Sequence, residues 1–183
     1  MGGMGPAITT QGSRVVYRNA WMSVREDSIR LQDGSSGIYG VVDKPDFALV
    51  VPRQPDGGFW LVEQYRYPVQ ARYWEFPQGT WSNGRSGTAE ELARAELAEE
   101  TGLVAGSLTH LGRLQQAYGY SAQGFDVFLA TNLVEGQPCR EPTEADMDHR
   151  LVSRSEFISW VSGGKIVDAA SVAAFALLEL SGL

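Results

Sequence analysis

The sequence contains few of the residues that build disulfide frameworks or zinc sites. It has one cysteine, Cys139, and two histidines, His110 and His149, among 183 residues. A single cysteine excludes an internal disulfide and fits a reducing cytoplasm, where we expect the protein to reside. Because Cys139 lies in a polar run, a bystander loop thiol is a better interpretation than a nucleophile. A zinc site is not expected either, because no Cys and His residues have the spacing of zinc ligands.

Basic residues and long apolar runs are also scarce. Lys and Arg total 15 against 22 Asp and Glu, which gives a net charge of −7 and argues against a nucleic-acid partner. An acidic protein can still bind an anionic substrate when metal ions carry the local positive charge. No stretch approaches the roughly 18 to 20 apolar residues of a membrane span, and Met1–Pro6 lacks the pattern of a signal peptide. We therefore expect no membrane partner.

The first half of the chain has apolar patterns typical of β-strands. Strands are predicted at 14–17, 22–31, 38–42, 47–51 and 59–65. The run Phe47–Val51 is continuously apolar, which indicates a strand buried on both faces. The turn residues Pro55–Gly58 follow it, so we expect it to form a hairpin with 59–65.

The second half alternates helices with further strands. Thr88 and Glu91 have the spacing of a capping box, which predicts a helix to about Thr101 that ends at Gly102. Strands are expected at 108–114, 125–133 and 149–152, and helices at 156–161 and 168–180. This order predicts an α/β (α+β) fold with a helix on each side of a mixed sheet. We expect a flexible leader at 1–13 and a single domain at 14–183, with a small antiparallel sheet at 14–45.

Three glutamates share one face of the first predicted helix. Glu96, Glu99 and Glu100 lie at i, i+3 and i+4, so their carboxylates crowd and repel one another. Hard cations such as Mg²⁺ or Mn²⁺ bind carboxylate oxygens and bridge to substrate phosphates. Glu is also a strong helix former, so a merely solvated face is the alternative. The glycine-rich loop at 79–87 favours a metal platform for phosphate chemistry.

The loop and helix together resemble a Nudix box, whose pattern is G-x5-E-x7-R-E-U-x-E-E-x-G-U with U a bulky aliphatic residue. Glu96–Leu103 matches the last eight positions without a gap, and Phe76–Gly79 resembles the strand end that opens the box. The resemblance implies a Nudix-like α/β/α sandwich and metal-dependent hydrolysis of a pyrophosphate linkage. The metal ligands that it implies are Glu96 and Glu100 first, Glu99 third, and a main-chain carbonyl near Gln78 or Gly79.

The front half of the box departs from the family pattern. Ala95 stands where the family has arginine, Gly87 falls where the first box glutamate belongs, and the glycine loop is two residues longer. Arg94 is adjacent to the arginine position, but it lies about 100° around the helix. The resemblance therefore implies metal binding with weakened activity. An inactive relative that only binds nucleotide is the alternative.

The flanking segments resemble the ADP-ribose pyrophosphatase branch of the family. They lie at 21–27, 63–68, 74–77 and 164–171. The branch implies that ADP-ribose or a related nucleoside diphosphate sugar is cut to a nucleoside monophosphate and a sugar phosphate. It also implies a homodimer with exchanged N-terminal strands.

Substrate contacts are expected at Arg66, Glu75, Tyr65 and Tyr118. The planar fork of Arg66 suits a phosphate, and the aromatic rings can stack on a base. The structural alternatives are an arginine that lies over aromatic surface and, for Glu75, an ordinary ion pair.

The resemblance to this branch implies a general base in the acidic loop 141–148, with Glu144 as first candidate and Asp146 as second. Glu99 is a further catalytic candidate, and a solvated acidic loop is the alternative. Gln123 stands where relatives often carry glutamate, which removes another candidate base.

Overall fold

The structure is a computed structural model that describes residues 7–82, 84–139 and 146–183. Its elements, in chain order, are β1 (Ile8–Arg18), β2 (Ser23–Leu31), β3 (Ser36–Asp43), β4 (Phe47–Pro52), β5 (Phe59–Arg66), β6 (Ala71–Glu75), β7 (Gln78–Gly79), α1 (Ala89–Thr101), β8 (Leu103–Gln115), β9 (Gly124–Glu135), β10 (Asp148–Val152), α2 (Arg154–Ser162) and α3 (Ala169–Ser181). In these described ranges no helix is long and apolar enough to cross a membrane.

The chain divides into two compact units, of which the first holds the residues up to Asp46 together with Gln115–Gly124. Its antiparallel sheet has the order β1-β2-β3. The segment 115–124 joins this sheet through a hydrogen bond of 2.7 Å from the Tyr39 hydroxyl to the Gly119 carbonyl. The small N-terminal sheet is as predicted, but β1 begins at Ile8. The expectation of a flexible leader up to residue 13 is therefore wrong for residues 8–13, whose main chain pairs with β2.

The second unit holds 47–114 and 125–183, and its central sheet has the order β7-β4-β9-β8. β4 runs parallel to β9 and antiparallel to β7, so the sheet is mixed. Leu49 and Val51 enter the core on the α2 and α3 side, whereas Ala48 and Val50 pack with α1. The prediction of helices on both faces of a mixed sheet is confirmed.

The predicted hairpin between β4 and β5 is wrong. The two strands belong to different sheets, and only an isolated bridge between Arg53 and Phe59 connects their ends. Both edges of β4 are already occupied, since Leu49 pairs with Gln78 of β7 and with Val127 of β9. β5 therefore pairs with β6 and β10 in a second, three-stranded sheet.

The helix boundaries follow the local capping signals. The Thr88 side chain accepts a hydrogen bond from the Glu91 main-chain N–H, and the Glu91 carboxylate accepts one from the Thr88 N–H, so the capping box is complete. α1 ends at Gly102, which has a left-handed φ of 76°. Ser153 and Glu156 form the same box before α2. These contacts fix where α1, which carries the three glutamates, begins and ends.

Candidate active site

The ends of several elements of the second unit meet around the segment that joins β6 to β7. The Gln78 main-chain N–H donates to Glu100 Oε2 of α1 at 3.2 Å. The Gln78 side-chain amide donates to Asp168 Oδ2, at the start of α3, at 3.0 Å. Arg66, at the end of β5, pairs with Glu75 at the end of β6. The structure thus brings together residues that the sequence separates by up to a hundred positions.

Glu75 is a buried acid held by two partners from β5. Its side chain is inward, since the residue is only 2% exposed. Arg66 binds it through both Nε and Nη2, and Gln64 Nε2 donates to Oε1 at 2.8 Å. Burial raises the pKa of the Glu75 carboxyl, and the positive charge of Arg66 opposes that rise. The structural alternative for Glu75, an ordinary ion pair, is therefore present, and its partner is Arg66.

Glu96 and Glu100 are buried on the face of α1 that meets β7. They are 8% and 1% exposed, whereas the Glu99 side chain is 29% exposed. A Cβ added to Gly79 would lie 2.6 Å from Glu96 Cδ, so the carboxylate rests directly against the glycine main chain. A larger residue at position 79 would require the Glu96 carboxylate to move from this position. The structure places Glu96 and Glu100 beside Gln78 and Gly79, and their role as metal ligands stays a prediction.

The donor atoms at this place suit a hard divalent cation. Two buried carboxylates, one helical turn apart, meet the main chain of Gln78 and Gly79. Oxygen donors of this kind fit Mg²⁺ or Mn²⁺ and not zinc, and such ions keep several waters or substrate oxygens in their shell. Across the described ranges no three acidic, histidine or cysteine side chains gather into a complete metal cage. Two carboxylates and a main-chain oxygen would leave positions in the shell of such a cation for waters or substrate oxygens.

The loop before α1 accounts for the missing box glutamate. A Cβ on Gly87 would lie 2.7 Å from Glu91 Oε2 and 3.0 Å from Trp81 Cζ2. The Trp81 ring and the capping carboxylate therefore fill the space that a glutamate side chain would enter. Trp81 stands six residues before Gly87, at the spacing of the box glycine. Trp81, which replaces the box glycine, thus lies against Gly87, which replaces the box glutamate.

An arginine does reach a box glutamate, but it comes from the loop. Arg85 Nη1 donates to Glu99 Oε1 at 3.0 Å, and its guanidinium carbon lies 4.8 Å from the centre of the Trp81 ring. Arg94 instead pairs with Glu90 at 3.0 Å and donates to the Ala105 carbonyl. Sequence reasoning considered Arg94 and missed Arg85, because the contact spans 14 positions and Arg85 lies in the irregular loop before α1.

Of the two loop residues predicted as the general base, the structure describes Asp146 and not Glu144. Glu144 lies outside the described residues. The Asp146 carboxylate accepts a hydrogen bond from Arg72 Nη1 at 2.6 Å, and Arg72 Nε binds Glu63 at 2.7 Å. Asp146 is thus engaged by an arginine of β6, which makes it a weaker candidate for removing a proton.

The two tyrosines that were predicted to contact the substrate, Tyr65 and Tyr118, belong to different units. Tyr65 is half-exposed beside Arg66 in the second unit, while Tyr118 belongs to the first unit and is exposed. Gln123 is buried, and its amide donates to the Pro45 carbonyl at 2.6 Å, which is a structural contact within the first unit.

Asp168 is a site-forming residue that sequence reasoning did not single out. Its Oδ2 atom accepts hydrogen bonds from the Ser171 main-chain N–H at 2.8 Å, the Ser171 hydroxyl at 2.7 Å and Gln78 Nε2 at 3.0 Å. Ser171 Oγ in turn accepts from the Phe76 main-chain N–H at 2.9 Å. The available signal was an aspartate three residues before a serine at the start of a helix.

Comparison with known proteins agrees with this geometry. A family model described as "Nucleoside diphosphate sugar hydrolase N-terminal domain" matches residues 8–42, and the NUDIX domain model matches residues 43–170. An ADP-ribose pyrophosphatase of Mycobacterium tuberculosis is 32% identical over 90% of this chain and 79% of its own length. An ADP-ribose pyrophosphatase of Bacillus subtilis is 26% identical over 84% of this chain and 83% of its own length.

A solved structure described as an ADP compounds hydrolase has the same fold. It superposes with a TM-score of 0.82, covers 97% of this chain and 95% of its own, and is 21% identical. The matched models together run from residue 8 to residue 170, and the NUDIX model includes α1 with its glutamates. The chain belongs to the Nudix hydrolase family.

Proposed function

We propose that this protein hydrolyses the pyrophosphate linkage of ADP-ribose or a related nucleoside diphosphate sugar, giving a nucleoside monophosphate and a sugar phosphate. The observation that carries the proposal is the pair of buried glutamates, Glu96 and Glu100, set against the main chain of Gln78 and Gly79. Relatives named ADP-ribose pyrophosphatase, and the N-terminal match to a nucleoside diphosphate sugar hydrolase model, support the substrate class.

Members of the Nudix family generally use divalent metal, and here we propose Mg²⁺ or Mn²⁺. Glu96 and Glu100 would hold it, with Glu99 third and a carbonyl of Gln78 or Gly79 assisting. When bound, such an ion lowers the pKa of a water ligand and neutralises charge on the phosphates. The buried glutamates would fix the position of the metal, because their helix is anchored at both ends by its caps.

Arg66 is the proposed phosphate contact. Glu75 binds the Nε and Nη2 side of its guanidinium, which fixes the orientation of the planar group. The Arg66 side chain is 42% exposed, so its outer side can meet a substrate oxygen. A guanidinium held in this way donates to phosphate without first losing much side-chain freedom. Glu75 acts through Arg66, and Tyr65 and Tyr118 remain candidate base-stacking residues.

A carboxylate is proposed to take the proton from the attacking water. Glu144 is the first candidate and Asp146 the second, since Arg72 already engages Asp146. Glu99 is the remaining candidate, and its pairing with Arg85 argues for a positioning role.

A nucleotide-binding protein with little or no turnover is the second candidate function. Ala95 and Gly87 favour it, because two residues of the usual box are absent. The contact from Arg85 to Glu99 argues against it, since one of the box glutamates still has an arginine partner. Tight binding of ADP-ribose in calorimetry, without release of monophosphate, would support this second function.

The first experiment is a hydrolysis screen over nucleoside diphosphate sugars with Mg²⁺ or Mn²⁺, in which we expect monophosphate release from ADP-ribose. Glu100→Gln should lower kcat by about 100-fold or more, because the amide is a poorer ligand for a hard cation. Glu90→Gln is the matched control, since Glu90 lies on the same helix but pairs with Arg94. An inactive wild type, or equal rates for wild type and Glu100→Gln, would refute the proposal.

We further propose that the protein is a cytoplasmic homodimer that associates through the first unit. That unit exposes large apolar side chains on and beside its sheet, namely those of Val15, Tyr17, Trp21 and Ile38. Large apolar side chains left exposed in this way are often covered by a partner subunit. The single cysteine supports a reducing compartment.

A further inference from the structure

Asp168 forms more contacts than the start of a helix requires. As the N-cap of α3 it needs to accept one main-chain hydrogen bond, which it does from Ser171 at 2.8 Å. The same oxygen also accepts from the Ser171 hydroxyl and from the Gln78 side chain. We propose that Asp168 is a positioning residue for the active site, which holds Gln78 in place beside the metal-binding glutamates. This inference rests on the proposed function.

The start of α3 holds the β6–β7 segment at two positions. Ser171 is fully buried, and its hydroxyl bridges Asp168 to the main-chain N–H of Phe76. Asp168 itself holds the side chain of Gln78. Phe76 is also fixed by its ring, which stacks on Phe157 with centroids 5.1 Å apart. The segment therefore cannot shift without breaking contacts to both α2 and α3.

The same segment is held from the opposite side by α1. The Gln78 N–H donates to Glu100, and the Gly79 main chain abuts Glu96. Gln78 thus links Asp168 through its side chain to Glu100 through its main chain. A shift at Gln78 would move the main chain against which both glutamates are placed. Metal and phosphate sites tolerate displacements of only about 0.5 Å before they lose affinity and rate.

The charge of Asp168 also acts on the proposed phosphate contact. Burial lowers the pKa of the Arg66 guanidinium, but the charges of Glu75, Glu100 and Asp168 outweigh it and raise the pKa overall. Asp168 is therefore one of three carboxylates that favour a charged guanidinium at this position. The aspartate acts on both sides of the site, on Gln78 by a hydrogen bond and on Arg66 by charge.

If Asp168 were only the N-cap of α3, its substitutions would affect stability and not the site. Serine is as good an N-cap as aspartate, but its shorter side chain cannot reach Gln78. Asp168→Ser therefore keeps the helix cap and removes the contact to Gln78. Ser153→Ala is the comparison for the loss of a cap alone, since it removes the N-cap of α2 and no contact to Gln78. Gln78→Met removes the same contact from its other end and leaves the cap intact.

The experiment measures melting temperature, kcat and KM for ADP-ribose, and the affinity for Mn²⁺ alone by calorimetry. We expect Asp168→Ser to melt near the wild type, to lose about tenfold in kcat, and to bind Mn²⁺ several-fold more weakly, which is typical of groups that support metal ligands. Gln78→Met should weaken Mn²⁺ binding similarly, and the double variant should add little, because both remove one contact. Ser153→Ala should lower the melting temperature and leave the Mn²⁺ affinity unchanged.

The outcomes separate this inference from the proposed function. Wild-type turnover tests the function, whereas the ratio of Mn²⁺ affinities between variants and wild type tests Asp168 without any substrate. Wild-type Mn²⁺ affinity and wild-type kcat in both Asp168→Ser and Gln78→Met would overturn the inference. If Asp168→Ser does not fold, Gln78→Met decides alone.

Discussion

Gly79 and Glu96 lie so close together that a side chain at position 79 would require the Glu96 carboxylate to move. A Cβ at position 79 would lie within 2.6 Å of the Glu96 carboxyl carbon and near both of its oxygens. The carboxylate is buried and belongs to a helix fixed at both ends, so it has little room to retreat. The glycine is therefore part of the site, although it has no side chain to take part in the chemistry.

Gly79→Ala should displace the Glu96 side chain and weaken Mn²⁺ binding by about tenfold or more, with a similar loss in kcat. Calorimetry with Mn²⁺ and steady-state kinetics measure both effects. Gly12→Ala is the control, because a Cβ at Gly12 meets nothing within 4 Å. Unchanged Mn²⁺ affinity in Gly79→Ala would show that Glu96 does not bind the metal at this position.

At the residue scale, the sequence predicted where the glutamates lie but not which residues hold the site in place. Glu96 and Glu100 were predictable because helical spacing alone places them on one face. Arg85 and Asp168 were not, since each reaches its partner across an irregular loop or across 90 positions of sequence. Only the fold makes these residues neighbours.

The elements differ in how far local sequence determines them. The capping box before α1 was predicted from the sequence, because it joins residues only three positions apart. The box before α2 has the same spacing, but that helix was expected to begin only at residue 156. The partner of β4 was not readable, because β4 pairs with β9 some 78 residues later and not with the next strand. A turn sequence after β4 suggested a hairpin, but strand pairing depends on which edges of the whole sheet are occupied.

The capping boxes also predict how stability depends on pH. Hydrogen bonds from Thr88 lower the pKa of Glu91 below the ordinary 4.5, and those from Ser153 do the same for Glu156. The unfolded chain therefore binds protons more readily, so this contribution is complete above pH 4.5 and is lost as the pH falls through the lowered pKa. Glu91→Gln keeps the cap geometry but cannot titrate, so its stability should depend less on pH below 4.5.

Urea unfolding between pH 3 and about 6 tests this dependence. Glu90→Gln is the comparison variant, because it removes a neighbouring carboxylate that lies outside the capping box. If both variants change the pH dependence equally, the capping box is not its source.

The whole molecule contains one unit with a large core and one with very little. The second unit has aromatic and aliphatic clusters on both faces of its central sheet. In the three-stranded sheet of the first unit, Ile29 is the single buried apolar residue among those described, and it is still 8% exposed. A sheet with so little buried apolar surface gains stability when its exposed side chains are covered. We therefore expect a second copy of the chain to cover them.

Light scattering after size exclusion should give about twice the 20.0 kDa of one chain. Ile38→Lys places a charge on the exposed apolar surface of the first unit and should shift the mass toward that of the monomer. Leu180→Lys makes the same change at an exposed position of α3 and should leave the mass unaltered. A monomeric wild type would contradict the proposed dimer.

The contacts of Asp168 and Ser171 also affect the order in which function can appear during synthesis. The bonds from Gln78 and Phe76 to these residues join positions 90 and 95 apart in the chain. A ribosome delivers the glutamate helix long before it delivers α3, so a nascent chain has its metal-binding acids before it has the residues that hold Gln78 in place. If Asp168 positions Gln78 as proposed, full hydrolytic activity should appear only after translation has passed Ser171.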